Sequence, residues 1–163
     1  MNIRNYIYMA MLIWLTQPLL AIAVESAQIT GVRPINFNQL KPFGSSATFD
    51  QDLCVYSSTG SYTVQVASNN PSGSFVVNNL NMKPINYQVF WNKQLGTANN
   101  IELRALNAQI QSGASMTPGC PNGNTANLQV VIPDAALSGA RAGSYYLSLQ
   151  ITVSPVAPPY FAD

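Results

Sequence analysis

Residues 143–154 read Gly, Ser, Tyr, Tyr, Leu, Ser, Leu, Gln, Ile, Thr, Val, Ser, and their side chains sort by parity. Tyr145, Leu147, Leu149, Ile151 and Val153 fall on one parity. Ser144, Ser148, Gln150, Thr152 and Ser154 fall on the other, with Tyr146 alone breaking the polar row. An extended backbone sends successive side chains to opposite faces, so one face of this segment must be buried against a core. The residues beyond it cannot repeat the performance, because Pro155, Pro158 and Pro159 lack the N–H that a ladder needs. The best strand of the chain is therefore its last, and nothing local covers its edge.

At the other end, Arg4 is followed by an almost wholly apolar run to Ala21, and Ala21 and Ala23 place small residues where a signal peptidase reads. Residues 1–23 read as a secretory signal peptide cut after Ala23. The rival reading, a membrane anchor, needs about 20 apolar residues, and this run is shorter and broken by Gln17 and Pro18. What remains is roughly 140 residues, the size of one domain. Seven cations face six acids in the full chain, so loss of Arg4 leaves six against six. That balance lacks the basic excess that nucleic acid requires. The weakly charged surface resists association poorly and suits a polymer subunit better than a free monomer. Two cysteines, Cys54 and Cys120, read as a disulfide in an exported protein, and the absence of histidine argues against zinc.

Taken in order, the chain resets its pattern every ten to fifteen residues. Residues 31–40, with Ile35 and Phe37 alternating against Asn36 and Asn38, read as a first strand confined by Pro34 to an edge. Residues 48–56 and 61–67, separated by Ser57, Ser58, Thr59 and Gly60, read as a hairpin. Short strands follow at 74–78, at 84–91 with Ile85, Tyr87, Val89 and Trp91 on one face, at 101–106, and at 126–132. Residues 92–124 are otherwise irregular, with loop around Cys120, and Pro133 opens one helical turn. Many short strands without an amphipathic helix predict an all-β, antiparallel two-sheet sandwich over residues 24–154, with a proline-rich tail at 155–163.

The chemistry offered is thin. Asp50 and Asp52 are the close acidic pair, two apart and so on one face of a strand, where they read as a solvated patch before they read as a metal or acid–base site. Neither cysteine has an imidazole to activate it. The glycine-rich turns lack the spacing of a phosphate loop. Trp91, Tyr87 and Phe90 are candidate ligand-stacking aromatics for a sugar, against the commoner role of alternating strand aromatics as core. No catalytic residue, metal or cofactor is expected. The spacing of Pro155 and Pro158 matches a polyproline docking motif but reads better as an extended tail.

Cys120, then Asn124, Leu128, Val130, Ile132 and Pro133, then Ala142, Gly143, Tyr145, Leu147, Leu149, Ile151, Val153 and Pro155, together resemble the spore coat protein U domain. That family includes the Csu-type subunits of archaic chaperone–usher pili. Weaker matches precede them in order: Pro34 to Phe37, Cys54, the Tyr62, Val64, Val66 alternation, and Ile85, Tyr87, Val89, Trp91. The resemblance implies an immunoglobulin-like sandwich lacking its last strand. A periplasmic chaperone lends the strand, and the N-terminal extension of a neighbouring pilus subunit then replaces it at an outer-membrane usher. It implies an exported, non-enzymatic pilus subunit serving adhesion and biofilm formation, with a donor-strand groove at Ile35, Phe37, Tyr145, Leu147, Leu149, Ile151 and Val153. The alternative is a tip adhesin or carbohydrate-binding module with a self-contained sandwich. A donor alternates large apolar groups over about ten positions. Residues 24–30 offer only Val24 and Ile29, which points to a minor subunit or a tip.

Overall fold

A computed structural model of the protein describes residues 24–35, 44–68, 70, 75–77, 84–98, 100–140 and 148–157. The expected signal peptide lies outside the described residues, as do Phe37, Tyr145, Leu147 and the end of the tail. Among the described residues no helix is long and apolar enough to cross a membrane.

Period-two segments become strands in antiparallel pairs. Strand β1 (Ala27–Thr30) pairs with β2 (Ala47–Ser57), which pairs with β9 (Ala126–Ile132). Strand β9 in turn pairs with β6 (Gln88–Asn92), and β6 with β7 (Ile101–Leu103), giving a five-stranded sheet ordered β1-β2-β9-β6-β7. The second sheet has three strands, β10 (Leu149–Pro155), β3 (Ser61–Ser68) and β8 (Gln109–Ser112), in the order β10-β3-β8. Strands β4 (Val76–Val77) and β5 (Ile85–Asn86) form a small separate pair, and one helical turn, α1 (Asp134–Leu137), follows β9. Pro133 stands at the cap of that turn in extended conformation, just before its first helical residue.

The core lies between the two sheets. The larger contributes Leu53, Val55, Val89, Trp91, Leu103, Leu128, Val130 and Ile132, the smaller Tyr62, Val64 and Val66, and Leu137 of α1 packs into the same cluster. Alternation on β3 is complete, with Tyr62, Val64 and Val66 buried between partly exposed neighbours. Trp91 and Tyr62 meet across the core with ring centroids 6.4 Å apart at 71°, an edge-on geometry. The indole Nε1–H donates to the Tyr62 hydroxyl at 3.0 Å, so the polar atoms of two large buried side chains satisfy each other.

Several sequence expectations are corrected. Strands β2 and β3 are not a hairpin: they belong to different sheets. The Ser57 and Thr59 hydroxyls both donate to the Ser61 carbonyl, at 2.6 and 2.9 Å, and bend the chain across the core, so that Val55 faces the β3 valines instead of pairing beside them. The first described strand lies upstream of the expected one, at Ala27–Thr30, and ends where Gly31 takes a φ of +84°; residues 31–35 are not strand, and 36–40 lie outside the described residues. The run from 84 splits at Tyr87, whose N–H bonds to the Phe75 carbonyl beside the β4–β5 pair. Strand β8 went unforeseen because it holds one apolar residue, Ile110, which is exposed; backbone pairing to β3 makes it a strand.

Cys54 and Cys120 form a disulfide that closes a separation of 66 residues. Cys54 lies on the outer parity of β2, and the segment bearing Cys120 covers it. Ser115 N–H donates to the Val55 carbonyl and Ser57 N–H to the Ser115 carbonyl, both at 2.9 Å, while Thr125 bonds Val55 on both backbone groups. Replacing both cysteines by alanine should lower the free energy of urea unfolding by about 4 kcal/mol, the chain-entropy value for a loop of this size. Tyr62→Phe leaves the Trp91 N–H buried without an acceptor, and the same measurement should show a loss of about 1–3 kcal/mol.

Candidate functional site

The two sheets do not close on each other along the flank where β1 and β10 approach. Strand β10 pairs with β3 through seven consecutive positions, from Leu149 opposite Ser68 to Pro155 opposite Tyr62. Its other edge pairs with no strand among the described residues, so a row of backbone groups faces outward there. The inward row of β10, Leu149, Ile151 and Val153, packs against the core yet is only half-buried, whereas Val66 and Val64 of β3, opposite Ile151 and Val153, are sealed. Among the described residues no further strand shields that flank.

The slot left open is a groove of about 480 Å³. Residues 32–35 form one wall, Ser148, Leu149 and Ile151 the other, and Gln51 and Leu128 line it from the larger sheet. Ile35 is thus a wall residue, and Val153 lies further along the β10 row.

The wall exists because the β1–β2 ladder stops early. It runs from Ala27 opposite Ser57 to Thr30 opposite Cys54, and continuing it by three residues would set Arg33 against Gln51. The turn at Gly31 peels the chain away first. In that register 33/51 would be a non-hydrogen-bonded pair with the Arg33 N–H turned away from β2; here the N–H donates to the side-chain Oε1 of Gln51 at 3.0 Å. Gln51 occupies the core-facing parity of β2, in the row of Phe49, Leu53 and Val55, and is 2% exposed. Its Nε2 is buried with no hydrogen-bond partner. Leaving such a group unpaired costs about 1–3 kcal/mol. Sequence reading passed over Gln51 as the residue between two acids, although a glutamine inside an apolar parity row was a visible signal.

The other candidates disperse. Trp91 is 0% exposed and Tyr87 4%, so neither offers a ring face to a sugar, and the two take the commoner role of core aromatics. Trp91 borders a recess with Lys93, Gln94, Ile101 and Gln111 but stays beneath it, engaged with Tyr62; Phe90, on the opposite face of β6, is half-buried. Asp50 and Asp52 share a structural partner: the Asn127 Nδ2 group donates to Asp50 at 2.6 Å and to Asp52 at 2.8 Å, and Asp52 also accepts from the Gly96 N–H. The pair ties β2 to β9 and to the loop after β6. Among the described residues no cluster of three or more His, Cys, Asp or Glu is placed to hold a metal ion.

Tyr87 packs against Phe75 with centroids 5.3 Å apart, its hydroxyl is buried without a partner, and burial pushes its pKa up to about 12. Below pH 10 both the folded and unfolded phenols are protonated. Between about pH 10 and 12 the unfolded state has lost a proton that the folded state keeps, so stability falls as pH rises through that window. Tyr87→Phe should remove this part of the alkaline slope and cost little at pH 7, as read from urea unfolding of both proteins between pH 8 and 11.5.

No family model matches the sequence, and no curated protein matches it. Among solved structures, the protein is similar to a chain from a structure described as a chaperone–tip adhesin complex vital for synergistic activation of CFA/I fimbriae biogenesis. The TM-score is 0.58 at 19% sequence identity, and the match covers 80% of this chain and 43% of that one. The chain thus spans less than half the length of its structural neighbour. What the two share is the fold, an antiparallel β-sandwich.

Proposed function

We propose that this protein is an exported, non-enzymatic subunit of a chaperone–usher fibre, whose sandwich is completed by an extended strand supplied by another polypeptide. The observation that carries this is the β10 edge: backbone groups that pair with no strand among the described residues, beside an apolar row that is only half-buried, at the mouth of a groove reaching the core. Exposed edges of that kind template pairing, and strand addition is the recurrent way to cover them. The periplasmic chaperone would occupy the groove first and a neighbouring subunit after assembly at the usher, with the fibre supporting attachment and biofilm formation. The fold likeness to a chain of a chaperone–tip adhesin complex supports the same reading. Tyr145, Leu147 and Phe37 are proposed to extend the two walls, in line with the spore coat protein U resemblance.

The placement of β1 refines the role. Ala27–Thr30, most of the segment that would have to be donated, is already hydrogen-bonded to β2 within its own sandwich. That favours a position that accepts a strand and gives none, such as a tip.

The test is to export the protein to a periplasm with and without its candidate chaperone, and to measure Tm with peptides copied from the N-termini of candidate partner subunits. Rescue from degradation by the chaperone, or stabilisation by a peptide, is the expected result. A peptide at a hundred times its Kd contributes about 2.7 kcal/mol, a rise in Tm of roughly 10 °C. A stable monomer indifferent to both would mean a complete fold and would return the self-contained binding module to first place.

A further inference from the structure

We infer that Gln51 selects which strand can fill the groove: it demands a hydrogen-bond acceptor at one inward position of the incoming strand, where the neighbouring inward positions take apolar groups. The inference rests on the strand-accepting role proposed above and adds a rule about sequence. Position 51 belongs to a row whose other central members, Phe49, Leu53 and Val55, are apolar. The orientation of its amide is set by the Arg33 N–H, which engages Oε1 and leaves Nε2, a donor only, on the remaining side. That nitrogen is buried and has no partner. The residues sharing the groove with it, Leu128, Leu149 and Ile151, offer no side-chain acceptor, and Ser148 is exposed. Among the described residues lining the groove none supplies the acceptor, and an entering strand can.

The acceptor must be a side chain. A strand laid along β10 directs its carbonyls sideways, in the plane of the sheet, and sends alternate side chains perpendicular to it, toward the facing sheet. The side chain arriving over Gln51 therefore decides whether Nε2 is paired or sealed beneath hydrocarbon. Threonine, serine, asparagine and glutamine satisfy it; valine and leucine do not.

The probes are short synthetic peptides of alternating valines with lysines at both ends, with threonine moved through each inward position in turn. Valine and threonine have nearly the same shape, so the comparison isolates the hydroxyl. With the oxidised wild-type protein, one threonine position should bind about tenfold more tightly than the all-valine peptide, the worth of one well-placed buried hydrogen bond. In Gln51→Met, and in Gln51→Leu as a second apolar variant, that preference should vanish or reverse. The side-chain amide protons of wild-type Gln51 should also exchange more slowly with the preferred threonine peptide than with the valine one, a readout that survives even where the variants fold poorly. Equal binding of all peptides to wild type, or a threonine preference that persists in both variants, overturns the selection rule while leaving the groove a strand acceptor. Failure of every peptide to bind wild type removes the strand-accepting role, and this inference with it.

Discussion

A sandwich is closed only when each sheet covers the apolar face of the other, and among the described residues five strands face three. Neighbouring strands lie about 4.8 Å apart, so each strand missing from the narrower sheet leaves a gap one strand wide. On the β10 flank that gap coincides with the end of the β1–β2 ladder. The half-buried Leu149, Ile151 and Val153, the groove, and the stranded amide of Gln51 all follow from this mismatch in width. The remainder of the molecule keeps the mismatch from collapsing it. The Trp91–Tyr62 hydrogen bond pins the sheets together at the centre, and the disulfide ties the 115–125 segment to β2.

Asn127, Asn92 and Ser57 are committed to structure: the first bridges Asp50 and Asp52, the second holds the carbonyls of Gly96 and Ala98, and the third bends the chain from one sheet to the other. Gln51, Tyr87, Asn100 and, at its Oδ1, Asn127 each keep a buried polar atom with no partner. Tyr87 lies under the β4–β5 pair beside Phe75, away from the open flank, and is a packing residue whose hydroxyl is tolerated. Gln51 lines the groove, where the proposed strand would enter. Location, more than the missing bond itself, separates an imperfection from a recognition element.

The sequence was most legible where burial was greatest. Alternation over Tyr62, Val64 and Val66, and over Leu128, Val130 and Ile132, placed β3 and β9 with their inward faces correct, because a one-residue slip would have exposed the entire apolar set. It was least legible where backbone pairing decides. Strand β8 carries Gln109, Ile110, Gln111 and Ser112 and no apolar row, yet pairs with β3 along its length. The Ser57–Ser61 turn had hairpin composition, but parity cannot say whether consecutive strands lie side by side or face to face. Trp91 and Tyr87 shared a strand face, and sharing a face is equally compatible with a binding platform and with a core; burial decided for the core. Alternation also drew the first strand past Gly31, where the positive φ has already turned residues 31–35 out of the ladder.

That glycine carries a consequence for how such a fold could arise or be lost. A side chain at position 31 would meet nothing within 4 Å, so crowding does not restrict it; only the sign of φ does. A residue that prefers ordinary extended geometry would draw Val32 and Arg33 back onto β2, set the Val32 N–H against the Asp52 carbonyl, and narrow the groove from within. On the function proposed above, the opening offered to a foreign strand thus hangs on a single backbone torsion.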